Sequence, residues 1–387
     1  MIRQMKLSAP CFFLCIMTLE EITELSMLNE CAYECTKQSR WKETTQRYLS
    51  NLLLNNTGLQ RELLDHTYKV SDTVNFYLNE RGRIRYIEAP IVKDRVVQKT
   101  FTKNVLIPKL LPYVIYDNYA SIKHRGTSFA RKRFEIMLRR YMNKNGTDGY
   151  ILFIDIKKYF ENIDHEILKE MVHKKLIGVD KEIIDFIDYI IDTSSHSNKG
   201  LNLGSEAPQV LALYYLTPLD TFAKIVKGIK YYGRYMDDIF IIGKSKKELL
   251  SLLSEISKVL ESLKLSINNK KTNIVKISHG FIFLQIKYNV LKNGKIIKRP
   301  THKKIVRERN RLKALKRIYD RGLINEKEAY NCYSSWRGTM VKEHNACFTT
   351  ITNMDNLYKE LFNKPLPKKN KSKMEIFNYL FKEITAI

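Results

Sequence analysis

The feature that most restricts how this chain can fold is the run Tyr232-Gly-Arg-Tyr-Met-Asp-Asp-Ile-Phe-Ile-Ile242. There, two adjacent aspartates, Asp237 and Asp238, interrupt an otherwise apolar, β-branched and aromatic stretch. Adjacent carboxylates repel each other and belong in turns, not in strand interiors. The pattern predicts strands over residues 231–235 and 239–242, joined by a tight connection at Met236, Asp237 and Asp238. Paired carboxylates in such a place need compensating positive charge, which divalent cations supply.

A second apolar run, Gly149-Tyr-Ile-Leu-Phe-Ile-Asp155, also ends on a carboxylate. Its unbroken hydrophobicity predicts a strand buried on both faces, with Asp155 emerging at one end. If that strand pairs beside the Asp237 hairpin, three carboxylates converge on one patch. Two Mg²⁺ ions held roughly 4 Å apart would then clamp the attacking and leaving oxygens of a phosphoryl transfer. A solvated turn is the ordinary explanation of an isolated Asp-Asp pair. The hydrophobic hairpin and the upstream strand ending in Asp155 argue for a polymerase instead.

Tyr235-Met236-Asp237-Asp238 resembles the signature of reverse transcriptases, and Phe153-Ile-Asp155-Ile-Lys-Lys-Tyr-Phe160 resembles their first palm motif. The likeness extends from about residue 40 over most of the chain, and is nearest to bacterial enzymes related to group II introns and diversity-generating retroelements. It implies an α+β, right-hand polymerase fold with fingers, a palm of antiparallel sheet plus helices, and a helical thumb. It further implies an RNA-directed DNA polymerase using two Mg²⁺ ions, with Mn²⁺ as the substitute. Asp155, Asp237, Asp238 and the Ile156 carbonyl would hold the metal. RNA template, a DNA or RNA primer and deoxynucleoside triphosphates are the implied partners.

Further motifs follow from the same resemblance. The strands around Asn79-Glu-Arg-Gly82 correspond to the fingers hairpin, where Arg83 and Arg85 would hold the incoming triphosphate. A solvated edge strand is the other reading of these two arginines. Arg95, in a segment resembling DR-x-x-Q, either touches template or pairs with Asp94. Phe160 matches an aromatic steric gate against the ribose 2′-hydroxyl, with core packing, or Tyr159 as the gate, as alternatives. Leu201-Asn-Leu-Gly-Ser-Glu-Ala-Pro-Gln209 resembles a nucleotide-binding motif in which Gly204 admits a close nucleotide and Gln209 is retained, while Pro208 replaces a serine. Lys271 matches the lysine that protonates the pyrophosphate leaving group, with charge screening as the other role. Gly280-Phe-Ile-Phe-Leu284-Gln285 resembles the primer grip, with glutamine in place of glycine. Tyr235, Met236 and Leu284 are expected against nucleic acid.

Charge points to the same partner. The formal net charge over 387 residues is +26, far more than solubility requires, and nucleic acid is the matching polyanion. No long amphipathic basic helix with an exposed apolar face argues for a membrane surface. Residues 298–321 carry eleven lysines and arginines against Glu308 and Asp320, and read as a thumb helix gripping template–primer duplex through Lys303, Lys304, Arg307 and Arg311. The six cysteines form no CxxC pair and read as reduced thiols in a cytoplasmic protein. Toward the N-terminus, Trp41 and Leu52-Leu53-Leu54 are expected to anchor helices, and Thr18 with Glu21 to form a capping box. His165 and His173 read as surface residues. Leu249, Leu252, Leu253, Ile256 and Leu260 share one face of a helix that opens on a Ser245–Glu248 capping box.

The expected organisation is a dispensable extension over 1–16, helices and fingers over 17–148, palm over 149–297, and a basic helical thumb with a last helix over 298–387. The expected biology is copying of a cognate structured non-coding RNA, in a diversity-generating retroelement or an antiphage defence system. An accessory protein or a second copy of the chain is left open as a further partner. The competing reading is a catalytically idle RNA-binding protein that keeps the polymerase fold.

Overall fold

Apolar runs that end in a carboxylate become neighbouring strands in the computed structural model, which describes residues 17–80, 83–195, 197–202 and 204–363. Its contacts divide the chain into two units. One holds the residues up to Tyr141 together with Tyr150–Ile274, the other Met142–Gly149 together with the residues from Val275 onward. The expected extension over 1–16, and the linker and last helix beyond residue 363, lie outside the described residues.

The first unit opens with α1 (Leu19–Ile22), α2 (Leu25–Thr36), α3 (Glu43–Ser50) and α4 (Leu52–Leu64). Thr18 and Glu21 form the reciprocal capping box that the sequence predicts. The anchors differ from expectation: Trp41, Leu53 and Leu54 are 76%, 63% and 76% exposed. Helical register explains the two leucines, because Leu52, Asn56, Leu59 and Leu63 share the buried stripe of α4 and Leu53 and Leu54 fall outside it; Trp41 lies in the turn before α3. Next come β1 (Val74–Glu80) and β2 (Arg83–Ala89), antiparallel with Tyr77 opposite Tyr86. The turn residues Arg81 and Gly82 and the side chains of Arg83 and Arg85 lie outside the described residues. α5 (Val92–Phe101), α6 (Ile107–Leu110) and α7 (Thr127–Asn145) follow, the last carrying the basic run from Arg131 to Arg140.

The chain then alternates through β3 (Tyr150–Ile154), α8 (His165–His173), α9 (Lys181–Asp192), α10 (Glu206–Tyr215), α11 (Thr217–Thr221), β4 (Tyr232–Tyr235), β5 (Asp238–Gly243), α12 (Lys246–Ser262) and β6 (Asn273–Lys276). The four strands form one sheet in the order β4-β5-β3-β6. Ile151, Leu152 and Ile154 of β3 and Ile239, Phe240 and Ile241 of β5 are all buried, which is why these strands read as unbroken apolar runs. Asp164 caps α8 by accepting from the Ile167 N–H. His165 is a correction. It is 1% exposed, with Nε2 2.7 Å from the Gly200 carbonyl, because it sits where α8 meets the loop leading to α10. On α12, Leu249, Ile256 and Leu260 are buried, and Ser245 caps through the Lys247 N–H in place of the predicted box with Glu248.

The second unit pairs a three-stranded antiparallel sheet, β7 (Phe281–Phe283), β8 (Ile286–Val290) and β9 (Ile296–Pro300), with α13 (His302–Asp320), α14 (Glu326–Glu343) and α15 (Phe348–Phe362). Leu312, Tyr333, Trp336, Met340, Met354 and Tyr358 make the helical core. The basic run is not all helix. Lys298 and Arg299 lie on β9, Pro300 closes that strand, and Thr301 starts α13. Asn345, between α14 and α15, donates to the Ile296 carbonyl at 2.9 Å and accepts from the Lys298 N–H at 2.7 Å. Those bonds tie β9 to the helices, and the longer segment of the second unit begins at Val275. Among the described residues no helix is long and apolar enough to cross a membrane.

Candidate active site

The strand pairing sets the site's geometry. Tyr235 lies opposite Asp238, which leaves Met236 and Asp237 as a two-residue turn. Asp238 therefore opens β5, where the sequence reading placed it in the connection. Met236 holds φ +56°, at a turn position that favours glycine. On the other side of β5, Ile154 pairs with Ile239. One residue further on, antiparallel register brings Asp155 level with Asp238.

Asp155 is buried and enclosed by the loop before β6. Asn268 Nδ2 donates to its Oδ1 at 2.8 Å, and Lys271 Nζ to its Oδ2 at 2.7 Å. Its own N–H donates to Thr272 Oγ1 at 3.2 Å, and its carbonyl accepts from the Asn268 N–H at 2.8 Å. Asn268 and Thr272, close to Lys271 in the chain, were not singled out from sequence. Ile156, expected to lend its carbonyl, is buried and bridges to Ile267.

The three carboxylates act on one another. Burial raises Asp237, and the charge on Asp155 raises it further. Burial, then Asp237 and then Asp155, push Asp238 up to about 7, with Lys271 opposing. Asp238 stays open to solvent on one side, so water screens part of this cost. Among the described residues no three His, Cys, Asp or Glu side chains form a finished metal cage. The donors are nonetheless all hard oxygens, and Asp155 disfavours ionisation of Asp237, as both do of Asp238. A divalent cation fits such a set, and Lys271 supplies part of that positive charge in the structure.

Around this centre the predicted residues fall into distinct environments. Tyr159 is buried, with its hydroxyl donating to the Ala212 carbonyl, whereas Phe160 beside it is only half-buried. Tyr159 is thus core, and Phe160, packed against the same core, keeps part of its ring exposed. Gly204 has a different reason from the expected one: a Cβ there would lie 2.3 Å from the Glu88 carbonyl oxygen, so the close approach is to the end of β2. Pro208 sits in the first turn of α10, where its missing N–H costs nothing. Gln209 Oε1 accepts from Ser121 Oγ at 3.2 Å.

Arg95 does not pair with Asp94. Asp94 is buried and accepts from the Tyr68 hydroxyl at 2.6 Å and the Ser71 N–H at 3.1 Å. Arg95 instead donates to the Cys35 carbonyl near the end of α2, which suits a cation at a helix C-terminus.

In the second unit, Phe283 pairs with Ile286, so Leu284 and Gln285 form a two-residue turn with φ +43° and +67°. Positive φ at both positions is the type I′ arrangement, and Gln285 occupies it without the freedom of glycine. On α13, Lys303 and Arg307 are exposed. Lys304 lies against Glu343 at 3.2 Å, and Arg311 donates to the Cys332 carbonyl. The outward cations without that engagement are Lys303, Arg307, Arg309, Lys313 and Arg317.

Residues 73–298 match the family described as reverse transcriptase (RNA-dependent DNA polymerase). No curated protein matches the chain. Among solved structures it is similar to apo telomerase from Candida Tropicalis truncated from its C-terminal domain, at 15% identity and a TM-score of 0.46. That match covers 64% of this chain and 60% of that one.

Proposed function

Because the chain belongs to the reverse transcriptase family and is on that ground an RNA-directed DNA polymerase of right-hand fold, we propose that it copies a structured non-coding RNA into DNA at the Asp155–Asp237–Asp238 site. The observation that carries this reading is the register of β3 against β5, which sets Asp155 level with Asp238 beside the Met236-Asp237 turn. Asp155, Asp237 and Asp238 would hold two Mg²⁺ ions, which would supply charge neutralisation to the phosphoryl transfer.

The protein's own groups position the reaction. Phe160 screens the sugar at its 2′ position. Lys271, already against Asp155, gives a proton to the departing pyrophosphate. The primer's 3′ hydroxyl gives its proton to solvent as its oxygen bonds to the α-phosphorus of the deoxynucleotide and the bond to pyrophosphate breaks. Arg83 and Arg85 take the triphosphate by charge-assisted bonds. The outward cations of α13 and the Leu284-Gln285 turn contact the template–primer duplex. The enzyme works in the cytoplasm, in a diversity-generating retroelement or an antiphage system.

Primer extension tests the reading: an RNA template, an annealed primer, deoxynucleotides and Mg²⁺ should give complementary DNA, and no product with Mg²⁺ or Mn²⁺ rejects it. RNA recovered with the protein from its native cell should be one structured species encoded near its gene. A bulk mixture rejects the dedicated template.

A further inference from the structure

Among the described residues Arg234 is the only lysine or arginine that is fully buried, at 0% exposure. It stands on β4, three residues before Asp237. Its Nε donates to Asp220 Oδ1 at 2.9 Å and its Nη2 to Asp220 Oδ2 at 2.5 Å. The Tyr232 hydroxyl donates to the same carboxylate at 2.6 Å. Nη2 also reaches the Leu213 carbonyl at 3.1 Å, in the last turn of α10, where carbonyls lack helical partners. Nη1 turns the other way and donates to the Met236 carbonyl at 3.1 Å.

A buried ion pair is weak evidence for stability, because desolvation offsets its attraction and apolar residues of similar size often serve as well. What a guanidinium adds is fixed geometry, since its N–H groups leave in set directions. Here one end is locked to α10 and α11 and the other reaches the turn in which Met236 holds φ +56°. A non-glycine residue at positive φ persists only where its surroundings fix it. We propose that Arg234, fixed by Asp220, is a positioning residue that clamps the strained Met236 peptide and so sets where Asp237 and Asp238 stand.

The inference rests on reading this turn as the catalytic centre. Asp237→Ala is therefore assayed in parallel: if that variant still extends primers, the reading itself fails whatever Arg234 does. Arg234→Lys keeps a cation beside Asp220 but loses the second arm. The expected result is a folded protein whose kcat for deoxynucleotide addition falls by about 100-fold, the scale of loss that misplacement of reacting groups produces. KM and hybrid affinity should stay within about threefold, since the lost interaction acts on the chemical step.

Rescue separates positioning from general structure. Glycine adopts positive φ freely, so Met236→Gly in the Arg234→Lys background should restore at least about tenfold of the lost rate. Amide exchange of the 235–239 segment should be faster in Arg234→Lys than in wild type. Wild-type kcat in folded Arg234→Lys, or loss of rate with neither glycine rescue nor faster exchange, overturns the proposal. If Arg234→Lys does not fold, the charge-free pair Asp220→Leu with Arg234→Met decides. A folded double variant with low kcat supports the clamp, and one with wild-type kcat overturns it.

Discussion

Lys271 Nζ lies 2.7 Å from Asp155 Oδ2, so an ammonium is lodged against the carboxylate that follows β3. The lysine is half-exposed while Asp155 is buried, so the pair joins the solvent side of the site to its floor.

Two roles for Lys271 separate kinetically. As general acid, its replacement by alanine should lower kcat by about 100-fold or more, with the half-saturating Mg²⁺ concentration little changed. Screening of Asp155 would instead leave kcat intact and move the Mg²⁺ dependence. Steady-state extension across a Mg²⁺ series reads both quantities.

The pH dependence of stability follows from Asp238. Its folded value of about 7 lies above the ordinary 3.8, so the folded state binds the proton more tightly. That contribution is complete below about pH 4 and is lost as pH rises to about 7. With metal chelated, Asp238→Asn should melt higher than wild type at pH 8, and the difference should close toward pH 4. A difference that does not vary with pH contradicts the burial and repulsion assigned to Asp238.

Gly204→Ala places a methyl carbon against the Glu88 carbonyl, a backbone atom that cannot swing away. Overpacking of this kind costs about 1–3 kcal/mol. Urea unfolding should show that loss, and an unchanged midpoint would mean that the end of β2 yields without cost.

Phe160→Val should raise ribonucleotide incorporation relative to deoxynucleotide by about tenfold, the scale on which steric pockets discriminate. Tyr159 is bonded within the core, so its replacement should instead lower stability. An unchanged sugar preference in Phe160→Val would remove the gate.

What was legible in the sequence was what is local and apolar. Asp237 and Asp238 stand out because carboxylates break a hydrophobic run, and Asp155 because it ends one. Contacts between distant segments were not legible. Gly204 answers to Glu88, and Leu53 and Leu54 are exposed because helical register and not hydrophobicity decided the core. Arg234 was hidden by composition, since one arginine among 67 basic residues reads as another solvated cation. A signal did exist. Arg234 stands two residues from Tyr232 on a strand that pairs with the apolar Ile239, Phe240 and Ile241, and Asp220 directly follows the buried Leu219.

The central claim is that the turn between β4 and β5 carries the chemistry. Single-turnover addition of a deoxynucleotide to an RNA-templated primer tests it most directly, comparing wild type with Asp237→Ala at equal hybrid occupancy. The account predicts a loss of at least about 1,000-fold, as expected when a group that stabilises transition-state charge is removed, with hybrid affinity within about threefold because basic surfaces bind the nucleic acid. Extension by Asp237→Ala at the wild-type rate would contradict it.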